Sequence, residues 1–515
     1  MKRTIQGNII DEIKSLPKTE MHRFIVDRAE TKLNNGEITE ENALDMCTTA
    51  ILDYYQNKRQ IAEDLNNNHK ITIIDSIMGS GKSTFLIQLV NKNPQKKYII
   101  VVPSIDEISR YRKDINRKSY APFVYTDNIT KEFANKTKCL QELIAEGKSP
   151  IIATHQLIYH LNQTTIDLLK KTDYELIIDE CLQCVDIYRR KGFYRDDLRT
   201  LINSKDIIVD NDGFLIWQNK SEKYKSRYND IKQLSELHSL MYLPNKKGGY
   251  SDNVLIWHFP IVFFSLFSKT YIATYLWGGS MQKCYFDMNK IDYLHMTISG
   301  KVPNQYLGVY SIHKELSKRQ ECFHMINLYT GKLNDIGTPD KINKRPLTDN
   351  WYKKSKKSDN QLNLKLLKSN TESYYKNFAK TKSEDNMWTT FKEYRVNVQG
   401  KGYTGKKGTD KSGNKIADSE NKQKQCFVSC NAKGTNDFRH KKSLAYLINK
   451  YINPSYKQFF ESHGATINED LYALSELLQW IWRSQIRDGK PINLYLPSTR
   501  MRELLGKWAL GKIIE

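Results

Sequence analysis

Residues 71–84 read Ile71-Thr-Ile-Ile-Asp-Ser-Ile-Met-Gly-Ser-Gly-Lys-Ser-Thr84, a β-rich apolar run that enters a glycine loop. Small residues in such a loop let backbone N–H groups surround a phosphate, while a lysine at its end reaches phosphate oxygens and a hydroxyl can ligate Mg²⁺. The pattern predicts a phosphate-binding loop (P-loop) formed by Met78, Gly79, Ser80, Gly81, Lys82, Ser83 and Thr84. Ser76 stands where the full pattern has its first glycine. The alternative is a glycine turn with a chance lysine, but the succession of strand, loop and helix (83–90) favours the P-loop.

The composition is strongly basic. The 515 residues include 80 Lys and Arg against 58 Asp and Glu, for a formal net charge of +22. Such an excess indicates a polyanionic partner, and nucleic acid is the expected one. The alternative is a lysine-rich, solvated surface in an organism with AT-rich codons. The length predicts two to four domains.

Apolar runs are short throughout the chain. None approaches the roughly 20 residues of a membrane-spanning helix, and the N-terminus has no signal-peptide core, so we expect a soluble cytoplasmic protein with no membrane partner. The eight cysteines do not suggest a disulfide framework. The pairs Cys181/Cys184 and Cys426/Cys430 differ in spacing and have no accompanying His pair, so buried or half-buried thiols are favoured over zinc sites.

The apolar pattern divides the chain into three regions. Residues 1–66 predict a helical extension, because Ala43, Leu44, Cys47 and Ala50 recur at helical spacing. Residues 67–300 alternate short β runs with helices, which predicts a parallel sheet covered on both faces. Strands are expected at 71–75, 97–103, 149–154, 174–179 and 270–275. A polar, irregular segment at about 189–250 is interpreted as an insertion.

Residues 301–515 form the third region. Strands are expected at 426–430 and 492–496, and helices at 442–451 and 469–487. Between about 398 and 425 many glycines and lysines predict a mobile basic loop. Such a loop could follow a phosphate backbone through Lys401, with Tyr403 free to stack on a base. The alternative is a solvated connector.

Two carboxylates follow the strand 174–179 in the sequence Leu176-Ile-Ile-Asp-Glu-Cys-Leu182. Hydrolysis of a nucleoside triphosphate requires a metal ligand and a general base close to the phosphates. We therefore expect Asp179 to hold Mg²⁺ together with Ser83, and Glu180 to polarise the attacking water. ATP and Mg²⁺ are the expected cofactors.

Met78-Gly-Ser-Gly-Lys-Ser83 and Asp179-Glu-Cys-Leu182 together resemble motifs I and II of superfamily 2 (DEAD/DEAH-like) helicases. Pro103-Ser104 resembles motif Ia, Ala153-Thr-His155 occupies the place of the following DNA-contact motif, and Tyr271-Ile-Ala-Thr274 resembles motif III. The resemblance implies an α/β fold with two RecA-like lobes, at 67–300 and 301–515. It also implies a nucleic-acid surface that includes Pro103, Ser104, Thr154, His155 and Thr274.

The segment 473–487 resembles the motif VI helix, whose glutamine and arginines face ATP across the cleft between the lobes. Gln479, Arg483 and Arg487 are four residues apart, so one helical face would present all three. The resemblance gives these residues catalytic roles, with Arg483 as the arginine finger. The family usually has glycine where Trp482 stands, and its second arginine falls at Ile486. The alternative is an amphipathic helix with solvated arginines.

From about Ile71 to Trp508 the chain also resembles helicase-like replication proteins of bacteriophages that infect low-GC Gram-positive bacteria. Met387-Trp-Thr-Thr-Phe-Lys392, Asn431-Ala-Lys-Gly-Thr-Asn436 and the segment 479–487 show this likeness. Herpesvirus origin-binding helicases are more distantly similar. The resemblance implies a motif IV or V that touches nucleic acid or ATP, with nucleic-acid contacts expected at Asn431, Thr435 and Asn436, and a location in the cytoplasm of the bacterial host.

These features predict an ATP-dependent nucleic-acid helicase or translocase. Single-stranded or forked DNA is the expected partner, with RNA as the alternative, and replication proteins are further candidate partners. Two other functions stay open. One is an origin-binding or annealing protein in which ATP only switches DNA affinity. The other is a P-loop kinase for a small metabolite, which would leave the resemblances at 153–155, 271–274 and 479–487 unexplained.

Overall fold

The computed structural model describes residues 70–122, 136–190, 193, 195–210, 212–218, 227–243, 254–404, 425–430 and 437–513, together with Asn35. The expected helical extension (1–66), most of the basic loop (405–424) and the residues Asn431, Thr435 and Asn436 lie outside the described residues. The chain divides into two compact units, one formed by Met1–Asn68 and Gln183–Ser265, the other by His69–Leu182 and Leu266–Glu515. No helix among the described residues is both long and apolar enough to span a bilayer.

Strands and helices alternate over most of the described residues. The strands are β1 (Ile71–Asp75), β2 (Lys97–Val102), β3 (Ile151–Thr154), β4 (Tyr174–Asp179), β5 (Val185–Ile187), β6 (Ile207–Val209), β7 (Leu215–Trp217), β8 (Leu240–Leu243), β9 (Val254–His258), β10 (Lys269–Thr274), β11 (Leu294–Ser299), β12 (Tyr306–Val309), β13 (Ile326–Leu328), β14 (Asn386–Thr389), β15 (Ser443–Tyr446) and β16 (Ile492–Tyr495). The α-helices are Lys82–Lys92, Ile105–Asp114, Lys136–Ala145, His155–Tyr159, Gln163–Leu169, Arg195–Asn203, Asn229–Glu236, Val262–Ser265, Met281–Met288, Ile312–His324, Asp349–Lys357, Leu362–Ser373, Arg395–Val398, Pro454–Ser462, Glu469–Ile481 and Thr499–Ala509. Short 3₁₀ helices lie at Trp277–Gly279, Lys332–Gly337, Ser383–Asp385, Lys392–Tyr394 and Gln485–Asp488, and a π-helical turn lies at Tyr374–Ala379.

The first lobe of the larger unit is built on a seven-stranded sheet in the order β12-β11-β1-β10-β4-β2-β3. Its neighbouring strands run parallel except for β11 and β12, which are antiparallel. Every residue of β1 and β4 is buried, as expected for parallel strands with both faces covered. The strands predicted at 71–75 and 174–179 are therefore confirmed.

Three strands of this sheet bring the predicted motifs to one edge. Strand β10 lies between β1 and β4, and the register pairs Asp75 with Thr274 and Ala273 with Asp179. Because the carboxyl ends of parallel strands meet at the same edge, the P-loop after β1, Thr274 of β10 and Asp179 of β4 are neighbours. The sheet thus positions the residues predicted to bind and hydrolyse a nucleotide.

The second lobe contains a four-stranded parallel sheet in the order β13-β16-β15-β14. Strand β15 packs on both sides, because Leu444 and Tyr446 belong to one apolar cluster while Ala445 and Leu447 belong to another. The two lobes confirm the predicted α/β fold with two RecA-like lobes.

Two element predictions in this lobe are wrong. The helix expected at 442–451 is strand β15 and its extension, in which residues 443–450 are all buried. A short apolar run that is buried on both faces has no periodicity to distinguish a strand from a helix. The strand expected at 426–430 is reduced to one isolated bridge between Trp388 and Phe427.

The inserted unit has a fold of its own in the described residues between Gln183 and Ser265. An antiparallel sheet in the order β5-β9-β8 and a hairpin of β6 and β7 surround an apolar core that includes Leu201, Ile207 and Ile231. The segment at about 189–250 was interpreted as an insertion, and no strands or helices were predicted in it. Strands of three or four residues are too short to show a pattern in the sequence.

Candidate nucleotide-binding site

The predicted P-loop connects β1 to the helix Lys82–Lys92 through two glycines with left-handed backbone conformations. Gly79 has φ +77° and Gly81 has φ +86°, values that side chains with a Cβ rarely adopt. A Cβ on Gly79 would lie 3.1 Å from Cζ2 of Trp482, and one on Gly81 would lie 2.8 Å from Nε2 of Gln305. The left-handed backbone therefore favours glycine at both positions, and at Gly79 the nearby Trp482 ring adds a steric reason.

Ser76 replaces the first glycine of the loop pattern for a visible reason. Its side chain is buried, and its hydroxyl accepts a hydrogen bond from the backbone N–H of Ile298 at 2.8 Å. The same hydroxyl shares a hydrogen bond of 2.8 Å with Oγ1 of Thr297. A glycine would lack both bonds, so this serine joins the start of the loop to strand β11.

Lys82 lies at the end of the loop and folds onto it. Its ammonium donates to the carbonyl oxygens of Ser76 at 2.5 Å and of Ile77 at 3.3 Å. Burial lowers the pKa of Lys82, while the nearby carboxylates, Glu180 first among them, act in the opposite direction. The ammonium is thus positioned where phosphate oxygens, as strong acceptors, can compete for its protons.

Asp179 is the last residue of β4 and is buried. Its Oδ2 accepts hydrogen bonds from the Ser83 hydroxyl at 2.8 Å and from the Tyr111 hydroxyl at 2.9 Å. The guanidinium of Arg110 lies 3.5 Å from the same oxygen. A hydroxyl and a carboxylate side by side are hard oxygen ligands of the kind that Mg²⁺ prefers.

A metal ion held by protein side chains alone needs a larger group of ligands than the Ser83 and Asp179 pair. The described part of the chain contains no group of three or more His, Cys, Asp or Glu side chains that could hold a metal ion. Mg²⁺ at phosphate-transfer sites usually takes one or two protein ligands and completes its shell with substrate oxygens and water. The Ser83 and Asp179 pair fits that second type of site.

Glu180 follows Asp179 with an unusual backbone. Its φ is +71°, and a residue other than glycine held in this region costs about 1–3 kcal/mol. Its N–H donates to the Ala273 carbonyl at 2.9 Å, which holds the turn against β10. Strain of this kind is concentrated at functional sites, where it aims a side chain. The half-buried Glu180 side chain lines the cleft beside the P-loop.

The second lobe contributes Gln479, Arg483 and Arg487 to the same cleft, which has a volume of about 380 Å³. The continuous helix predicted at 469–487 is wrong, since the helix ends at Ile481 and Arg487 lies in a separate 3₁₀ helix. The Ser484 hydroxyl donates to the Ile481 carbonyl at 2.7 Å, a local bond that competes with helix continuation. The three side chains therefore line one cleft without sharing one helical face.

Cations outnumber carboxylates around this cleft. Arg483 is only 8% exposed, and burial lowers its pKa to about 10. The exposed Arg487 has its pKa lowered by partial desolvation and by repulsion from Arg439 and Arg110. The charged side chains that line the cleft are Lys82, Arg110, Arg439, Arg483 and Arg487 against Glu107, Asp179 and Glu180. An excess of positive charge facing one cavity suits a polyanion such as a triphosphate.

Buried polar atoms support the same conclusion. The Ser80 hydroxyl, Nε1 of Trp482 and Nε of Arg483 have no hydrogen-bond partner among the described residues. Buried donors are normally satisfied, so orphaned ones require an explanation. All three belong to the P-loop or to the segment of the second lobe that faces it. The residues present therefore fit a nucleotide with many acceptor oxygens.

Three residues predicted to contact nucleic acid are buried in this structure. His155 is buried with Nε2 hydrogen-bonded to the Asp179 carbonyl at 3.0 Å, and Thr274 is buried with its hydroxyl accepting from Cys181 at 3.2 Å. Tyr403 is fully buried, and its hydroxyl donates to the Val398 carbonyl. In this structure the three side chains are buried and hydrogen-bonded and present no exposed face to a base. Their contact with nucleic acid stays a prediction.

The other residues predicted to contact nucleic acid are Ser104, Thr154, Pro103 and Lys401. Ser104 and Thr154 accept the N-terminal N–H bonds of the helices that follow them. Pro103 lines the same cleft as the P-loop residues, and Lys401 is exposed. Their contact with nucleic acid stays a prediction. Met78 and Thr84 also line the cleft, as predicted for the P-loop.

Tyr111 was missed by the sequence analysis. Burial raises its pKa well above the usual value, and the neighbouring Asp179 carboxylate acts in the same direction, so its hydroxyl stays a neutral donor. The only sequence signal is its place in the helix that follows Pro103-Ser104, which by itself singles out no residue.

Comparison with known proteins adds three family matches. Residues 49–187 match "Type III restriction enzyme, res subunit", residues 191–257 match "YonV middle domain", and residues 320–509 match "YonV C-terminal Rossmann-like domain". A curated relative, "SPbeta prophage-derived uncharacterized protein YonV" of Bacillus subtilis (strain 168), is 35% identical over 446 residues, covering 85% of this chain and 98% of its own length.

Solved structures that match this chain include "XPD_APO", at 14% identity and a TM-score of 0.45, covering 88% of this chain and 98% of that chain. "Structure of S. tokodaii Xpd4" is 12% identical with a TM-score of 0.45, covering 88% of this chain and 97% of that chain. The res-subunit match and the prophage relative confirm the resemblance to superfamily 2 helicases and to phage proteins. The chain therefore belongs to the YonV family of phage-associated, superfamily 2 helicase-like proteins.

Proposed function

We propose that this protein is an ATP-dependent translocase of the helicase type, which binds MgATP between its two RecA-like lobes and moves along nucleic acid. The observation that supports this most directly is the composition of one cleft. Lys82, Asp179 and Glu180 of the first lobe face Arg483 of the second, whose buried Nε has no hydrogen-bond partner among the described residues. A cation from the far lobe makes triphosphate binding sensitive to the distance between the lobes.

The P-loop and the Asp-Glu pair would divide the chemistry. Lys82 would bind phosphate oxygens, Ser83 and Asp179 would hold Mg²⁺, and Glu180 would orient the attacking water as general base. When bound, the metal ion would supply neutralisation of negative charge on the phosphates. Arg483, with Gln479 and Arg487 beside it, would stabilise charge that develops in the transition state.

The end of β10 connects these groups to one another. The buried Asp75 carboxylate accepts hydrogen bonds from the N–H groups of Leu276 at 2.9 Å and Trp277 at 2.8 Å. The hydroxyl of Thr274 contacts Cys181, next to the Asp-Glu pair. The segment that resembles motif III therefore contacts both the strand before the P-loop and the strand that positions Glu180. Such a connection would couple the state of the bound nucleotide to the rest of the lobe.

The second lobe offers a basic face for a nucleic acid. The helix Asp349–Lys357 and the helix Leu362–Ser373 expose five lysines that pair with no carboxylate among the described residues, namely Lys353, Lys354, Lys356, Lys357 and Lys365. Together with the net charge of +22, these lysines favour a phosphate backbone as partner. DNA is the preferred candidate, because the chain resembles phage replication helicases.

Two assays test this function. ATP turnover would be measured with single-stranded DNA, duplex, forked DNA and RNA at two salt concentrations, for the wild type and for Lys82→Ala. We expect one polymer to stimulate turnover, a loss of stimulation at high salt, and no turnover in the variant, whose nucleic-acid affinity stays close to wild type. Unchanged turnover in Lys82→Ala would refute the site assignment. A strand-displacement assay then separates a motor from an origin-binding or annealing protein, which would hydrolyse ATP without releasing a strand.

A further inference from the structure

Three side chains from the segment 297–315 contact the P-loop, or Ser76 and Ile77 directly before it, from outside the cleft. Thr297 shares its hydrogen bond with Ser76 at 2.8 Å, and Nε2 of Gln305 donates to the Ser80 carbonyl at 3.0 Å. Oε1 of Glu315 accepts from the backbone N–H of Ile77 at 2.8 Å. We call Thr297, Gln305 and Glu315 the linker clamp, because their segment leads from the first lobe into the second.

Glu315 is the most constrained member of the linker clamp. It is 4% exposed on the helix Ile312–His324, and its Oε2 lies 3.3 Å from Nη2 of the fully buried Arg319. A buried carboxylate is costly unless it is paired and hydrogen-bonded. Glu315 meets both conditions, and one of its two partners is the backbone of the phosphate-binding loop.

The helix that presents Glu315 is the covalent connection between the lobes. It follows β12, the edge strand of the first sheet, and it leads directly into β13, an edge strand of the second. A movement of the second lobe relative to the first therefore acts on this helix. Through Glu315 the same movement reaches the N–H of Ile77, which directly precedes the P-loop.

A single aromatic ring lies at the meeting point of these elements. The guanidinium of Arg319 lies 5.8 Å from the ring centre of Tyr275, and the ammonium of Lys82 lies 6.0 Å from it. The Tyr275 hydroxyl accepts a hydrogen bond of 2.6 Å from Nε1 of Trp508, in the last helix of the second lobe. The phosphate-binding lysine, the connecting helix and the second lobe thus contact the same side chain.

We propose that Glu315 and Gln305 are positioning residues of the nucleotide site, and that through them the connection between the lobes holds the P-loop in its phosphate-binding shape. This inference rests on the proposed ATP site but does not require translocation. The loop lacks the first glycine of the usual pattern. Glu315 and Gln305 bind its backbone at Ile77 and Ser80, and Thr297 binds the Ser76 hydroxyl. Displacement of the connecting helix changes the affinity of the loop for a triphosphate.

The alternative is that these bonds only satisfy buried polar groups. The test therefore compares Glu315→Ala and Glu315→Gln with Glu321→Ala, a control on the exposed side of the same helix. Glutamine keeps an oxygen that accepts from Ile77 but removes the charge. Gln305→Ala removes a second member of the clamp without leaving Arg319 unpaired, and the double variant Glu315→Ala with Arg319→Met removes both charges where the single variant folds poorly.

Equilibrium binding of a fluorescent ATP analogue with Mg²⁺ is the first readout, and single-stranded DNA binding without nucleotide is the second. We expect Glu315→Ala to weaken nucleotide binding about tenfold, or about 1.4 kcal/mol, with Gln305→Ala lowering affinity in the same direction. Glu315→Gln should recover most of the loss, and Glu321→Ala and DNA binding should not change. Equal nucleotide affinity in Glu315→Ala and Glu321→Ala would overturn the proposal, as would a glutamine variant as weak as the alanine variant.

Hydrogen exchange of the backbone amides at residues 76–82 separates this proposal from the proposed function. Absence of nucleotide binding by the wild type would reject the ATP site. The exchange experiment would still decide on the linker clamp, because it needs no nucleotide. Faster exchange at Ile77 in Glu315→Ala, with slow exchange in the wild type and Glu321→Ala, supports the clamp. Identical exchange in all three proteins rejects it.

Discussion

Replacement of Arg483 by methionine should stabilise the nucleotide-free protein and abolish ATP turnover. Arg483 is 8% exposed, and burial lowers its pKa from its usual value to about 10. A pKa lowered by this amount corresponds to a penalty of roughly 3 kcal/mol for the charged form of the arginine in the folded state. Because the folded pKa lies below the unfolded one, the penalty is present at every pH below about 10 and is relieved as the pH rises from there towards the unfolded pKa. At pH 7 to 8 the arginine therefore remains charged and destabilising.

Methionine fills much of the volume of arginine and carries no charge to desolvate. We expect the free energy of unfolding to rise by about 1–3 kcal/mol, less than the full penalty because some packing changes. An arginine finger contributes about 10³–10⁵ in kcat, so turnover should fall by at least about 10³. Stability and activity should thus change in opposite directions.

The assay combines thermal unfolding without nucleotide and single-turnover ATP hydrolysis with saturating single-stranded DNA. Lys490→Met is the matched control, since Lys490 is an exposed cation on the same stretch of the second lobe and should change neither quantity. A variant at Arg483 that turns over ATP within tenfold of the wild type would refute the arginine-finger assignment. A loss of stability in that variant would refute the electrostatic argument.

Three further predictions concern the cleft and the basic face. Gly79→Ala should weaken binding of a fluorescent ATP analogue by at least about tenfold, roughly 1.4 kcal/mol, because φ is +77° and the new Cβ meets Trp482. Gly464→Ala is the control, since Gly464 has φ +76° and no neighbour within 4 Å. Equal nucleotide affinity in the two variants would contradict the prediction. Tyr111→Phe removes one hydrogen bond to Asp179 and should lower kcat about tenfold, roughly 1.4 kcal/mol, with little change in DNA affinity; a wild-type pH profile and kcat would count against a positioning role. Replacement of Lys353, Lys354, Lys356 and Lys357 by glutamate should weaken DNA binding and reduce its dependence on salt. ATP binding measured without DNA should not change. An unaltered salt dependence of DNA binding would exclude this face as the DNA-binding surface.

The sequence was most informative where function depends on local pattern. The P-loop and the Asp-Glu pair each lie within a few residues of a buried strand, and parallel strands bring such ends together by their geometry. Arg483 was assigned by resemblance. In the structure it lines the cleft beside the P-loop, although the helix ends two residues earlier. A prediction can therefore succeed in placing a residue while its stated reason, one continuous helical face, is wrong.

Long-range hydrogen bonds were outside the reach of the sequence. Glu315 is 238 positions from Ile77, and Gln305 is 225 positions from Ser80, so no local pattern connects them. Burial on both faces hid strand β15, whose residues resemble a helical run. Tyr403 lies in a glycine- and lysine-rich stretch that suggests exposure, yet its ring packs between Tyr375 and Trp388. In each case tertiary packing determined the outcome.

The most direct test of the account is an experimental structure with Mg²⁺ and a nonhydrolysable ATP analogue. The account predicts one analogue in the cleft, with Lys82 and Arg483 both contacting its phosphates and Ser83 and Asp179 beside the metal ion. An analogue held by the first lobe alone, with the Arg483 guanidinium directed away from the phosphates, would contradict the proposal that the two lobes share one triphosphate.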